Sequence, residues 1–381
     1  MLLTVVVFII ILSVLVLIHE LGHFTVARLI GVKVEEFGFG LPPRIIGKKF
    51  RGILYSLNWL PIGGFVKLAG EDETPASHKS LRSHRSLKSY FFARSKKERA
   101  AILIAGVLMN FLLAVGITTY LLTQGVQEPT GQVHIERVLP GSPAETAGLK
   151  AKDVIKSITY PASKDVLGGY TPSKELQLAP TEVKKIVVPQ DLIDTVKAHA
   201  GETVTLTVLR DSHITLISLI PRKDFPKGEG PTGIVISDLE IKKYPLTQAP
   251  FVATKINLER GWQMLAGIGA LIGRLATLKP VGGDVAGPIG IAQVTGQAVK
   301  FGWKAVLEFM SILSLNLAVL NILPIPALDG GRLAFVFLEK FLGKKVKPAF
   351  EQSTHQIGMI ILFILIILIS INDVMRLARG G

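Results

Sequence analysis

Four apolar runs constrain this chain before anything else does. Leu2 to Ile18 is almost continuous apolar sequence, and Ala100 to Thr123, Ala305 to Leu323 and Ile357 to Ile371 repeat the pattern. A bilayer core is about 30 Å thick, and a helix needs roughly 20 apolar residues to cross it. Lipid offers no partner to a backbone N–H or C=O, so such runs cross as helices. The first run is long enough only if its helix continues to the neighbourhood of Ile30. A secretory signal peptide is the alternative for this segment, but a basic leading region and a small-residue cleavage site are both missing. The expected fold is a polytopic α-helical membrane protein with spans over residues 1–30, 100–124, 304–339 and 353–375.

Charge orients these spans. The formal net charge is +14, a balance that also suits a nucleic-acid binder. Its placement argues against nucleic acid. Residues 31–99 hold 14 Lys and Arg against 6 Asp and Glu, and Lys340, Lys344, Lys345 and Lys347 lie between the third and fourth runs. Basic residues beside membrane ends mark the cytoplasmic side. The loops 31–99 and 340–352 are therefore expected inside, and the long 125–303 segment and both termini outside. Arg376 and Arg379 pull weakly the other way. The chain has no cysteine, which excludes disulfides, thiolate catalysis and thiolate metal sites.

The segments between the spans differ in kind. Residues 31–99 contain short apolar runs punctuated by Gly and Pro, among them Gly64 to Leu68. They are too apolar for a solvated loop and are expected as a membrane-associated β-loop. Residues 127–237 are polar and strand-rich, an inserted α+β domain of ordinary size. Within it a helix is expected over "PQDLIDTVKAHAG", with Asp191 as its N-cap and Gly201 at its end. Residues 238–303 are expected as a linker with one helix across Leu246 to Leu278. Its apolar stripe is interrupted by Lys255, Glu259, Arg260 and Arg274, which favours a membrane-surface helix over a fifth span.

The chemistry sits in "HELGH", at the end of the first run. On a helix, His19 and His23 differ by about 400° of rotation and 6 Å of rise, so both rings leave one face. Two imidazoles so placed can share a metal ion, and Glu20 can reach a water on it without being a ligand. A helix end snorkelling at the interface accounts for one charged group, not three, and ionisable groups at membrane depth usually mark function.

A catalytic zinc site commonly has three protein ligands. The other six histidines and most carboxylates are not expected beside a span. The exception is "LNILPIPALDGGR", which closes the third run. Pro324 and Pro326 break the helix there, and broken backbone at membrane depth is tolerated where it lines a cavity. By topology Asp329 and the His19–His23 stretch then lie at similar depth on the same side. Asp329 is read as the third ligand rather than as a turn residue.

"HELGH" on a first span, "NILPIPALDGG" after a later one and "GPIG" (Gly287 to Gly290) together resemble the site-2 protease family of intramembrane zinc metalloproteases. The likeness is greatest to the bacterial regulator-of-sigma-E type, which carries an extracytoplasmic PDZ domain. The resemblance implies zinc held by His19, His23 and Asp329, with Glu20 catalytic. It implies that Asn321 contacts substrate near the scissile bond. Gly64, Phe65, Val66, Lys67 and Leu68 match a β-loop that presents an edge strand to substrate. "GSPAETAGLKAKDVI" (Gly141 to Ile155) resembles a PDZ signature. One such module is found, where some relatives have two, and Tyr160 to Pro189 is longer than expected between PDZ strands.

The function implied is cleavage of transmembrane segments in a bacterial cell membrane, close to its cytoplasmic face. The substrates would be membrane-spanning proteins such as an anti-sigma factor, or signal-peptide remnants, with the PDZ domain gating or binding their outer part. The competing reading is a membrane-anchored PDZ scaffold with a structural metal, but a structural site needs no base beside its first histidine. A zinc transporter accounts for neither the HExxH spacing nor a PDZ module.

Overall fold

The computed structural model describes residues 2–71, 89–161, 181–226, 228–277, 287–343, 346 and 348–378. The chain divides into two units: residues 1–124 with 244–381, and residues 125–243.

The first unit opens with α1 (Leu2–Ile30), followed by β1 (Val34–Phe50) and β2 (Ile53–Leu68). After these come α2 (Lys96–Gln124), α5 (Ala249–Ala276), α6 (Pro288–Phe301), α7 (Trp303–Ile322), α8 (Asp329–Leu342) and α9 (Pro348–Ala378), with α3 and α4 in the second unit. Among the described residues, four helices are long and apolar enough to cross a membrane: α1, α2, α7 and residues 349–375 of α9. The four expected spans are thus present as helices. The helix α5 is not among them.

Helix α2 is the hub. It packs against α1, α5, α7 and α8. In lipid, close packing relies on small residues that let backbones approach. A Cβ on Gly22 of α1 would fall on the carbonyl oxygen of Ala105 and lie 2.8 Å from Met109. Buried apolar clusters flank this contact. Ile11, Leu15 and Leu313 lie toward one end, and Ala27, Ile102, Leu103, Leu333 and Val336 toward the other.

Helix boundaries depart from expectation in four places. The second span begins at Lys96, inside the basic run, because Ser95 and Glu98 form a capping box. Glu98 N–H donates to Ser95 Oγ at 3.3 Å, and Ser95 N–H to Glu98 Oε2 at 2.8 Å. The range 304–339 breaks at Pro324 and Pro326 as expected, but resumes after them as a second helix, α8. Helix α6 lies in the region expected as a linker. Its first turn is closed by a distant carboxylate: Gly290 N–H donates to Asp373 Oδ2 on α9 at 2.8 Å. Asp191 is not an N-cap. Pro189, with its φ already set for a helix, occupies the first turn of α4 (Pro189–Ala198) and starts it after Val188.

Strands β1 and β2 meet at Phe50 and Ile53 across a tight turn, with Arg51 and Gly52 both at positive φ. Both bend further along. Phe37 lies opposite both Tyr55 and Val66, so the first part of β1 is paired on both sides. Gly64 to Leu68 are paired with β1 along one edge only, among the described residues. The outer part of the hairpin exposes Leu41, Ile45, Ile46, Trp59 and Leu60, an apolar surface that water alone would not favour.

In the second unit β3 (Val126–Val138), β4 (Val154–Pro161), β6 (Val204–Arg210), β7 (His213–Leu219) and β8 (Ile234–Lys242) form one sheet in the order β7-β6-β4-β3-β8. The strand β5 (Thr181–Lys185) pairs with β4. Every pairing is antiparallel. Val204, Leu206 and Val208 alternate into the core, where Leu192 and Val196 of α4 cover them. The short α3 (Pro143–Thr146) is capped by Ser142, whose Oγ accepts from Glu145 N–H at 3.2 Å. Much of the long stretch between Tyr160 and Pro189 lies outside the described residues.

Candidate metal centre

The apolar face of α1 splits into two stripes near its C-terminal half. One lies along the hairpin: Ser13 Oγ donates to the carbonyl of Pro61 at 2.7 Å, Val16 packs under Gly63, and Glu20 faces Val66. The other stripe carries His19 and His23 toward α2. There α2 matches the four-residue spacing of the histidines with Ile102, Gly106 and Asn110. His23 Nδ1 lies 2.8 Å from the carbonyl oxygen of Ile102, and His19 Nδ1 lies 3.4 Å from Asn110 Nδ2. Gly106 stands between them. A Cβ there would meet both rings, lying 2.7 Å from His19 Cε1. Glycine is what leaves room for two imidazoles between helices this close.

Asp329 arrives from the far end of the chain. It is the first residue of α8, directly after the turn that follows α7. Gly330 and Gly331 let α8 sit on that turn. A Cβ on Gly330 would collide with the carbonyls of Ile322 and Leu323, and one on Gly331 with the carbonyl of Ile325. The turn is held from behind by α9. Ala327 N–H donates to His355 Nδ1 at 2.9 Å, and Gly358 lies against Pro326. His355 thus corrects the expectation that only the histidines of "HELGH" adjoin a span: it belongs to the fourth long helix and braces the loop that presents Asp329.

The result is a cluster of three candidate ligand atoms. Asp329 Oδ2 lies 2.9 Å from His19 Nε2 and 3.2 Å from His23 Nε2, and the two Nε2 atoms are 3.1 Å apart. Both histidines are buried. Among the described residues this is the one group of three or more His, Cys, Asp or Glu side chains placed to share a metal.

The donor set fits zinc. With ligands about 2.0 to 2.1 Å from the ion, a tetrahedron has edges of roughly 3.4 Å, and the three observed separations fall just inside that. Asp329 Oδ2 is buried and close to both rings, yet makes no hydrogen bond of proper geometry. Three lone-pair-bearing atoms aimed at one point, one of them left without a proton to accept, suit a cation at that point. Two nitrogens and one carboxylate oxygen leave a fourth position open, as a catalytic zinc requires.

Glu20 stands apart from the cluster as a base should. Its Oε2 accepts from Val66 N–H at 3.0 Å, on the edge of Gly64 to Leu68 that β1 leaves open. Asn321, near the end of α7, brings Nδ2 to 3.5 Å from His19 Nε2. The structure therefore gathers His19, His23, Asp329 and Asn321 at one point. It puts Glu20 and Val66 in contact beside them. Asn110, Gly106 and the carbonyl of Ile102 were not foreseen. Their signal was present in "AGVLMN": a glycine and an asparagine four residues apart in an otherwise apolar span, where a polar side chain is costly without a partner.

Comparison with known proteins agrees with this geometry. The model of peptidase family M50 matches residues 7–365. A protein of Clostridium acetobutylicum, provisionally named a zinc metalloprotease, is 30% identical over 363 residues, covering 95% of this chain and 94% of its own. A Rickettsia conorii protein with the same provisional name is 31% identical, covering 97% and 98%. Zinc metalloprotease RasP of Oceanobacillus iheyensis is 27% identical, covering 98% and 99%.

Proposed function

Because the chain belongs to peptidase family M50 and is an intramembrane zinc metalloprotease, we propose that His19, His23 and Asp329 hold its zinc and that Glu20 is its general base. The observation that carries this reading is the convergence of Asp329 Oδ2 on both imidazole Nε2 atoms, at 2.9 and 3.2 Å. Zinc bound there supplies a Lewis acid and brings the pKa of its water to about 7. Glu20 would act as the general base, taking a proton from the attacking water and handing it to the amine nitrogen released when the scissile C–N bond breaks. Asn321, beside His19, contacts the substrate at the scissile bond.

A helical peptide hides its carbonyls within its own hydrogen-bond ladder, so a transmembrane substrate has to unwind before it can be cut. Gly64, Phe65, Val66, Lys67 and Leu68 hold the unwound segment extended by strand addition. Two features support this role: β1 pairs one edge of this segment and leaves the other open among the described residues, and the Val66 amide already meets Glu20. An open cleft of about 440 Å³ lies elsewhere on the hairpin, over Leu17, Phe37, Phe39, Ile46 and Leu57, and has the apolar character a membrane segment requires.

We read residues 127–237 as a PDZ domain on the extracytoplasmic side, which admits membrane-spanning substrates, such as an anti-sigma factor, once their outer part is trimmed. The capped turn Gly141–Glu145, the strand order and the basic residues of 31–99 support this reading. With the protease family established, a scaffold with a structural metal has nothing left to account for.

The chemistry is tested with full-length protein in nanodiscs and a membrane-embedded substrate. Glu20→Gln keeps zinc and loses cleavage by about 100-fold or more, the scale of general-base catalysis. Asp329→Ala loses the metal as well. Wild-type cleavage by the first variant removes Glu20 from the mechanism, and full zinc occupancy in the second removes Asp329 from the ligand set. The gate is tested by deleting residues 130–237: untrimmed substrates become cleavable, and the gate is wrong if they stay intact.

A further inference from the structure

The side chain of Asn110 is fully buried on α2 and unusual in its pairing. Its Nδ2 faces His19 Nδ1 at 3.4 Å, while its Oδ1 has no hydrogen-bond partner among the described residues. A buried carbonyl oxygen left unpaired is costly, so the arrangement calls for an explanation.

His23 shows what the site requires. Its Nδ1 faces the carbonyl oxygen of Ile102 at 2.8 Å, which can only accept. The proton of the neutral ring therefore lies on Nδ1, and the Nε2 lone pair is free for a metal. His19 turns its Nε2 to the same point, 3.1 Å from His23 Nε2. To be a ligand it too must carry its proton on Nδ1, and that proton needs an acceptor. An amide nitrogen is only a donor. Rotating the Asn110 amide by half a turn exchanges its two atoms at no change in shape. Oδ1 then meets Nδ1–H, and the orphaned oxygen gains its partner. The backbone of Asn110 is held for this purpose: Ser314 Oγ of α7 donates to its carbonyl at 2.8 Å, and Ser314 is also fully buried.

We propose that Asn110 is the positioning residue of His19. Its side-chain oxygen accepts from Nδ1–H, fixes the ring and its tautomer, and thereby presents Nε2 to zinc. This inference rests on the reading of His19 as a ligand.

The test measures zinc affinity of the full chain in nanodiscs by competition with a chromophoric chelator, alongside the absorption spectrum of the cobalt-loaded protein. Asn110→Leu keeps the volume and removes the acceptor; its zinc affinity falls by about 10- to 100-fold, the usual effect of losing such a partner. Asn110→Asp keeps an acceptor, holds affinity within a few-fold and shifts the cobalt bands, because a carboxylate is the stronger acceptor. Wild-type affinity in the leucine variant overturns the proposal. So does an equal loss in the aspartate variant, which would make Asn110 a packing residue. If the leucine variant does not fold, the aspartate variant decides alone: an unchanged cobalt spectrum overturns the proposal. His19→Ala separates the two levels of inference, since wild-type zinc binding there defeats the ligand reading itself.

Discussion

The backbone N–H of Val66 donates to Glu20 Oε2 at 3.0 Å. This contact joins the group proposed to move protons to the strand proposed to hold substrate. The Val66 amide is engaged by this carboxylate and can orient it. A substrate laid along this edge would lie within reach of Glu20.

Val66→Pro removes that donor, and proline is tolerated on edge strands. A hydrogen bond to a charged group contributes about 1.5 to 3 kcal/mol, so cleavage falls by roughly 10- to 100-fold. Zinc content stays at the wild-type level. Steady-state cleavage with metal analysis checks both, and unaltered turnover would show that the amide neither orients Glu20 nor holds substrate.

Gly106→Val closes the space between α1 and α2 at the rings. Any side chain there meets His19 Cε1 at 2.7 Å or presses on His23, and backbone packing leaves no room to yield. Zinc binding is lost. Gly116→Ala on the same helix is the control: its Cβ meets nothing within 4 Å, so zinc binding persists. Metal analysis of the two purified variants decides. Retained zinc in the valine variant would mean that the helices do not meet at this glycine.

In the second unit, burial alone would raise the Asp153 carboxyl, but Arg210 overrides it. The Arg210 guanidinium, at 2.7 and 2.6 Å, holds the carboxyl below the usual carboxylate range. A depressed folded-state value adds stability that is complete above the unfolded value of about 3.9 and is lost as pH falls through the lower folded one. Arg210→Gln therefore lowers the stability of this unit at neutral pH, and the gap from wild type closes below about pH 4. Hydrogen exchange of the β4 and β6 amides against pH reads this out. A gap that widens on acidification would reverse the sign.

Much of the architecture was legible because membranes simplify it. A lipid-facing backbone has to satisfy itself, so apolar run length alone located four helices. Residues 127–237, read as strand-rich, form the sheet of the second unit. Where expectation missed, either a distant residue had intervened or a stronger local signal stood close by. Helix α6 looked like linker because its N-terminus is closed by Asp373 of α9, which no local pattern reveals. Asp191 looked like a cap until Pro189 started the helix before it.

By itself, the sequence determined that two imidazoles leave one face of a membrane helix with a carboxylate beside them, because a fixed 100° per residue makes that a local property. Only the tertiary structure decided which atoms complete the site. The approach of Asp329, the acceptor at Ile102, the amide of Asn110 and the contact of Glu20 with Val66 all depend on how helices rotate and how closely they pack. Those quantities are set by glycines at 22, 330 and 331 meeting particular backbones, and by Gly106 meeting the two imidazole rings. Spacing along a chain fixes direction within one helix; it carries no information about what a second helix turns toward it.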